Sequence, residues 1–282
     1  MNRLANEEIE IGISGLRKLI ETVKSHYDFD LSIYASTSLK RRVARIMDHN
    51  SLKDLEALID KLATQKDFFQ HFKQQLTVEG TEFFRDPAFW RYLRDEICPV
   101  LARNHMKIKI WIPGCSSAEE VLSTAICLKE AGIYDKCTIT ASDISSLAVE
   151  AARDKLYSNN KLEISENNYK RFQEDESADM SKYLIKQDKG FRFKEDLYRN
   201  VVFETHDHKN MSRSRSVNMI ICRNYFIYFS SLFQEKLLEI FTDNLSLNGY
   251  LAIGNKETID FCKDSGKYSL INENEKMYRK PG

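Results

Sequence analysis

In the last two thirds of the chain, short apolar runs of strand length alternate with segments long enough to form helices. Strands are expected over residues 107–113, 138–143, 201–205, 217–222 and 250–254, with a closing hairpin over residues 269–279. Strands that are separated by helices pair in parallel and bury both faces of their sheet. The pattern therefore predicts an α/β domain. The helix that begins at Glu119 is expected to end before Gly132, a residue suited to the left-handed position after a helix.

The first 76 residues have helical periodicity only. Apolar side chains recur there at spacings of three and four, which indicates amphipathic helices with one buried face. Ser51 and Asp54 have the spacing of a capping box at the start of the third helix. The apolar sets are Ile9, Ile13, Leu16, Leu19, Ile20 and Val23; Leu39, Val43, Ile46 and Met47; Leu52, Leu55, Leu58, Ile59 and Leu62; and Phe68, Phe69, Phe72 and Leu76. Since 282 residues exceed the usual size of one compact domain, we predict a helical domain over residues 1–76 and an α/β domain over residues 77–282.

The composition excludes several classes of function. Lys and Arg together number 42, as do Asp and Glu, so the net charge is +0 and no overall field attracts nucleic acid. No apolar run reaches the roughly 18 residues that a membrane span needs, and the N-terminus lacks the features of a signal peptide. We therefore expect a cytoplasmic protein without direct membrane insertion. The six cysteines are scattered, and His206 and His208 have only Asp207 nearby as a third ligand, so no metal site is expected.

Two residues are expected at the carboxyl ends of neighbouring strands, where ligands bind in open parallel sheets. Gly114 follows the first strand and allows the backbone to turn closely past a ligand, and the helix from Glu119 directs free amide groups at the same crevice. Asp143 ends the second strand, where a carboxylate can accept hydrogen bonds from ribose hydroxyls. Because the chain lacks the glycine pattern of dinucleotide binders, S-adenosylmethionine suits this crevice better than a nicotinamide cofactor. The alternative is that Asp143 only ends a strand in a turn.

Four segments occur in an order that resembles one enzyme family. They are Thr81-Glu82-Phe83-Phe84-Arg85-Asp86-Pro87, Gly114-Cys115-Ser116-Ser117-Ala118-Glu119-Glu120, Ser142-Asp143-Ile144, and Ile221-Cys222-Arg223-Asn224 followed by Ile227-Tyr228-Phe229. Together they resemble the CheR glutamate methyltransferases of chemotaxis receptors. The resemblance implies an N-terminal helical bundle and a Rossmann-like S-adenosylmethionine methyltransferase domain. It also implies a small antiparallel β subdomain inserted at about residues 157–200.

The resemblance implies roles for several cofactor-binding side chains. Thr81 and Arg85 would reach the amino-acid end of S-adenosylmethionine or the substrate carboxylate, and Glu119 would bind the cofactor's ammonium group. Asp207 and His208 stand where the family has cofactor-contacting residues after a later strand. Gly114 and Asp143, together with Arg223 and Asn224, complete the expected cofactor site.

Three of the residues are implied as catalytic, namely Arg85, Arg223 and Tyr228. Arg85 would hold the substrate carboxylate, and Tyr228 would lie near the transferred methyl group. A glutamate carboxylate has a pKa near 4.3 and is already a nucleophile at neutral pH, so the enzyme must align it and exclude water rather than remove a proton.

The chain also departs from the family pattern. Glu79 and Asp207 place carboxylates where the family usually has neutral amides. Ala118 replaces a glycine in the turn, Val121 replaces a proline, and Asn218 replaces an aspartate. These departures motivate an alternative function, a catalytically silent scaffold or cofactor sensor of the same family.

Four cations cluster on the second predicted helix, namely Lys40, Arg41, Arg42 and Arg45. Arg41 and Arg45 are one turn apart, on a side away from the apolar residues. In the family, the corresponding helix is implied to bind the acidic helical methylation region of a receptor. The alternative is a solvated helix face.

Overall fold

The computed structural model describes residues 11–77, 82–153, 155–206, 211 and 216–282. The chain forms two compact units. The first consists of Met1–Leu76 and Ile227–Lys236, and the second consists of Thr77–Phe226 and Leu237–Gly282. The grouping of Ile227–Lys236 with the first unit is not indicated by the sequence.

The first unit is helical, with α1 (Ile13–Tyr27), α2 (Ser36–His49), α3 (Leu55–Thr64) and α4 (Lys66–Thr77). Their apolar faces form its core; Leu19, Val43 and Leu62 are fully buried. The predicted capping box at α3 is wrong, because α3 begins after Asp54, whose carboxylate accepts a 2.8 Å hydrogen bond from the amide of Ala57. Asp54 therefore takes the capping role that Ser51 was expected to fill.

The second unit contains the predicted sheet and the helices that cover it. The helices are α5 (Pro87–Tyr92), α6 (Cys98–Asn104), α7 (Glu119–Glu130), α8 (Ser146–Ala152) and α9 (Asn160–Gln173). A tenth helix, α10 (Ser231–Asn244), precedes the last parallel strand. The strands are β1 (Ile108–Pro113), β2 (Cys137–Asp143), β3 (Leu184–Gln187), β4 (Gly190–Phe193), β5 (Val201–Thr205), β6 (Val217–Cys222), β7 (Leu245–Ile253), β8 (Ser269–Asn272) and β9 (Met277–Arg279).

The main sheet has seven strands in the order β5-β2-β1-β6-β7-β9-β8. The first five in this order are parallel, and β9 and β8 add the expected antiparallel hairpin. The sequence proceeds outward from β1 in one direction and from β6 in the other, so strand order reverses between them. The crevice beyond the carboxyl ends of β1 and β6 is the position where such sheets bind ligands.

The region between β2 and β5 contains α9 and a separate antiparallel pair, β3 and β4. This pair is the small antiparallel subdomain implied by the resemblance. Its inner side chains, Phe191 and Phe193, join the core of the second unit together with Tyr157 and Phe83. The insertion is therefore packed into the domain that carries it.

The fold confirms the expected end of α7. The helix is followed by Gly132 at φ 69°, a left-handed conformation that glycine adopts without steric cost. Among the residues that the structure describes, no helix combines the length and hydropathy required to cross a membrane.

Candidate cofactor and active site

The turn after β1 begins with Gly114, which has φ 69°. A Cβ atom at this position would lie 2.4 Å from the ring of Tyr225, so the close packing of that ring also requires glycine. Tyr225 follows β6, the strand beside β1 in the sheet. The glycine therefore allows the loops after the two central strands to approach each other at the crevice.

Asp143, at the end of β2, holds this turn and the next one in place. One carboxylate oxygen accepts a 2.9 Å hydrogen bond from the amide of Ser116, and the other accepts a 3.0 Å bond from the amide of Ser145. The hydroxyl of Ser116 is buried without a hydrogen-bond partner in the described part of the chain. A buried hydroxyl of this kind normally pairs with a ligand or water. The turn therefore fits a polar ligand such as the ribose of S-adenosylmethionine.

Ala118 occupies the last position of the turn, at φ 67°, and is fully buried. The left-handed conformation costs a residue with a side chain roughly 1–2 kcal/mol. Ala118 therefore has a backbone conformation that glycine would adopt without this cost, and helix α7 begins at the next residue. The amide groups and positive dipole end of α7 consequently point toward the crevice.

Glu119 was expected to bind the ammonium group of the cofactor, but its carboxylate is engaged inside the protein. The residue has 0% exposure, its side chain forms an ion pair with Lys161 of α9, and it accepts a hydrogen bond from the hydroxyl of Ser117. A fully buried carboxylate requires such partners. Glu119 therefore anchors the insertion to the start of α7, and its predicted contact with the ammonium group stays a prediction.

The next residue, Glu120, is a second carboxylate at the start of α7, to which the sequence interpretation gave no role. It is half-buried, and burial raises its pKa to about 7, against the opposing effect of the Arg223 charge. The charge of Glu257 also raises this pKa, and that of Arg85 lowers it. Glu120 thus lies near charged groups that follow β6 and β7 and near the arginine segment.

Arg223, directly after β6, connects the end of that strand to the segment that carries Arg85. Its side chain is 1% exposed and forms a 2.8 Å ion pair with Asp86, while its guanidinium lies 4.1 Å from the ring centre of Phe89. It also donates a 3.3 Å hydrogen bond to the carbonyl of Arg85. Arg223 therefore fixes the arginine segment beside the crevice, and the side chain of Arg85 remains exposed.

Asn224 has φ 56° and lies at the end of β6 as expected. Its backbone amide donates a 2.8 Å hydrogen bond to the carboxylate of Glu257. The same carboxylate accepts a 2.6 Å hydrogen bond from the backbone amide of Gly254. Glu257 is buried and has no place in the recognised motifs. The sequence interpretation missed Glu257 because Asn224 lies 33 residues away, and because Gly254, three residues away, belongs to no motif.

Tyr228 lies in the first unit, in the segment Ile227–Lys236. Its carbonyl accepts a 2.9 Å hydrogen bond from the amide of Ala35, and the guanidinium of Arg42 lies 3.9 Å from the centre of its ring. The segment is therefore part of the helical unit's own packing. The predicted closeness of Tyr228 to the methyl group stays a prediction.

The structure divides the four cations of α2. Arg41 and Arg45 are exposed and Lys40 is partly exposed, as a docking face requires. Arg42 is only 2% exposed and also donates to the carbonyl of Leu76, so its assignment to a docking face is corrected. A guanidinium buried against an aromatic ring stabilises the unit instead.

Some predicted site residues lie outside the described residues, namely Glu79, Thr81, Asp207 and His208.

Asn218 lies near the amino end of β6, where it accepts a 2.8 Å hydrogen bond from the amide of Lys109. Its replacement of the family's aspartate is therefore remote from the carboxyl ends of the strands.

Comparison with known proteins relates both units of the chain to one family. The family model for the CheR methyltransferase SAM-binding domain matches residues 79–277, and the model for the CheR all-alpha domain matches residues 14–77. The protein Cher3 of Pseudomonas putida is 31% identical over 275 residues, which cover 98% of each chain. A chemotaxis protein methyltransferase of Borreliella burgdorferi is 28% identical over 273 residues, covering 90% of this chain and 91% of the relative. One from Listeria innocua is 26% identical over 261 residues, covering 89% and 92%.

The matched regions include both units and every described residue of the crevice. The chain belongs to the CheR methyltransferase family and is a methyltransferase whose cofactor is S-adenosylmethionine.

Proposed function

We propose that the protein transfers methyl groups from S-adenosylmethionine to glutamate side chains of a chemotaxis receptor. The observation that carries the proposal is the ion pair between Arg223 and Asp86, which holds the exposed Arg85 beside the cofactor crevice. An arginine fork suits recognition of one carboxylate. Relatives named chemotaxis protein methyltransferase support a receptor as the methyl acceptor.

The cofactor would be held by groups at the carboxyl ends of β1 and β2. Asp143 and the hydroxyl of Ser116 suit a ribose, Gly114 permits close backbone approach, and the carboxylates in the first turn of α7, Glu119 and Glu120, suit the ammonium group. When bound, S-adenosylmethionine supplies an electrophilic methyl group on a sulfonium. The protein's own contribution is to hold the acceptor carboxylate at Arg85 in a fixed orientation. No general base is needed, because the glutamate is already ionised at neutral pH.

The finer part of the proposal concerns the partner surface. Arg41 and Arg45 are exposed one turn apart on α2, with Lys40 beside them, and suit an acidic helical segment of the receptor. The protein has no net charge, so this attraction is local. We place the reaction in the cytoplasm, where the six cysteines, none of which forms a disulfide, would remain reduced.

The silent-scaffold alternative is not favoured. Ala118 keeps the left-handed backbone of the turn, and Asn218 is hydrogen-bonded at the end of β6 away from the crevice. Two of the departures that motivated the alternative therefore leave the site's geometry intact.

The test is to incubate the purified protein with methyl-labelled S-adenosylmethionine and a receptor signalling fragment, and to measure base-labile methyl release. Glutamate methyl esters release the label in base, whereas amide and amine methylation does not. Arg85→Ala should lower turnover by at least tenfold while changing cofactor affinity less than threefold, on the order expected for losing one charged hydrogen bond. Arg103→Ala, at another exposed arginine, is the control. No base-labile label with the parent protein would reject the proposal, and equal losses of turnover and cofactor affinity would move Arg85 to the cofactor site.

A further inference from the structure

The turn between β1 and α7 is strained and depends on outside restraints. Three of its residues have positive φ, namely Gly114 at 69°, Ser116 at 45° and Ala118 at 67°. Two of these carry side chains, for which such conformations cost on the order of 1–2 kcal/mol each. Strained backbone persists only when its surroundings hold it in place.

Most of these restraints come from the sheet itself. Asp143 accepts a hydrogen bond from Ser116, and the carbonyl of Ser142 accepts a 2.9 Å bond from the amide of Cys115. One restraint comes from a different part of the domain. The phenol of Tyr157 donates a 2.7 Å hydrogen bond to the carbonyl of Ser117, the residue between the two strained positions.

Tyr157 is itself held firmly by the insertion. It is 1% exposed, and its backbone exchanges two 2.9 Å hydrogen bonds with Phe191 of β4. Its ring packs edge-on against Phe83 at 5.0 Å between centroids, in the segment that also carries Arg85. Burial keeps the pKa of the phenol well above its usual value, so the group remains a hydrogen-bond donor at physiological pH. One side chain thus contacts the insertion, the cofactor turn and the arginine segment.

We infer that Tyr157 is a positioning residue for cofactor binding, which holds the turn in its ligand-ready shape through the carbonyl of Ser117. The insertion therefore acts as a support for the cofactor site in addition to any other role it has. This inference depends on the cofactor assignment and is independent of the identity of the methyl acceptor.

The test uses a variant that removes one oxygen atom and keeps the ring. Tyr157→Phe should raise the dissociation constant for S-adenosylhomocysteine, measured by calorimetry on the full chain, by roughly 3- to 10-fold, the effect of losing one buried hydrogen bond. Tyr134→Phe is the matched control, because that phenol is also buried and donates a 2.6 Å hydrogen bond to a backbone carbonyl, that of Leu197. Both variants should lower the melting temperature, and only Tyr157→Phe should weaken binding.

A second measurement separates positioning from general destabilisation. Hydrogen exchange of the amides of residues 115–118 should become faster in Tyr157→Phe and stay unchanged in Tyr134→Phe. Parent-like affinity and turn exchange in Tyr157→Phe would overturn the inference, as would equal loss of affinity in both variants. If the parent protein does not bind S-adenosylhomocysteine, the cofactor assignment itself fails and the inference fails with it.

Discussion

The carboxylate of Glu257 accepts a hydrogen bond of 2.8 Å from the backbone amide of Asn224. The same oxygen accepts a second bond from Gly254, so the loops after β6 and β7 share one buried acceptor. A Cβ at Gly254 would lie only 2.8 Å from this oxygen, so the arrangement leaves no room for a larger residue.

We expect Glu257→Ala to lower the free energy of unfolding by about 1–3 kcal/mol, because two buried amides lose their acceptor. Denaturant unfolding measures this loss. The control is Glu163→Ala, which removes an exposed carboxylate from α9. Equal stabilities for the two variants would mean that the amides of Asn224 and Gly254 find other partners.

The left-handed backbone at Ala118 gives a second prediction. Ala118→Gly relieves strain of about 1–2 kcal/mol but loses a buried methyl and adds freedom to the unfolded chain, so we expect a net change within about 0.5 kcal/mol. Ala125→Gly, at a fully buried position within α7, should cost about 1.5–2 kcal/mol, because the same losses occur without relief of strain. Chemical unfolding of both variants measures the difference. Similar costs at the two positions would contradict the strained turn.

The raised pKa of Glu120 predicts a pH dependence of stability. The folded protein keeps this proton up to about pH 7, whereas the ordinary pKa of 4.5 applies to the unfolded chain. The protonated carboxyl of Glu120 therefore contributes stability that is fully present below pH 4.5. This contribution decreases as the unfolded chain loses the proton, and it is lost once the pH rises through about 7. Glu120→Gln should therefore remove this slope and raise the free energy of unfolding at pH 8 by on the order of 2 kcal/mol. Denaturant unfolding curves, recorded at roughly one-unit intervals between about pH 4 and 8, measure how the free energy of unfolding changes with pH. A parent and variant with parallel curves would contradict the prediction.

The cations of α2 give a prediction about docking. Replacing Arg41 and Arg45 together by Ala should raise KM for the receptor fragment and leave cofactor binding unchanged, because both side chains are exposed. Exposed charges are screened over about 8 Å at physiological salt, so the parent's KM should rise with ionic strength and the double variant's should rise less. Arg42→Ala should instead lower stability, since that guanidinium is buried against Tyr228. Identical salt dependence in parent and double variant would mean that the receptor docks elsewhere.

The sequence was most informative where a residue's role depends on its place along one element. Gly114 and Asp143 were predicted at strand ends, because strand length and alternation fix where each strand stops. Arg42 shows a subtler limit. It lies three residues after Leu39 and four before Ile46, so helical spacing alone places it on the apolar side of α2. The sequence interpretation grouped Arg42 with the three other cations of the helix. That grouping was wrong, because an aromatic ring and a backbone carbonyl can accompany a buried guanidinium.

Contacts between distant parts of the chain could not be predicted in this way. The ion pair of Glu119 with Lys161 joins residues 42 positions apart, and the bond of Asn224 to Glu257 joins residues 33 apart. Neither partner belongs to a periodic pattern that specifies the other. Such pairs depend on how helices and strands pack against one another, and local sequence patterns do not predict that packing.

The burial of every cysteine also makes the chain its own probe of local opening. All six cysteines are buried and form no disulfide, and Cys115 lies within the turn that follows β1. A thiol-specific reagent cannot reach them until some part of the fold opens, and the rate of modification at each position then measures how often that part does so. Without any introduced label, the sulfur of Cys115 can report how strongly a bound cofactor closes the turn, while Cys98 and Cys262 report on the surrounding scaffold.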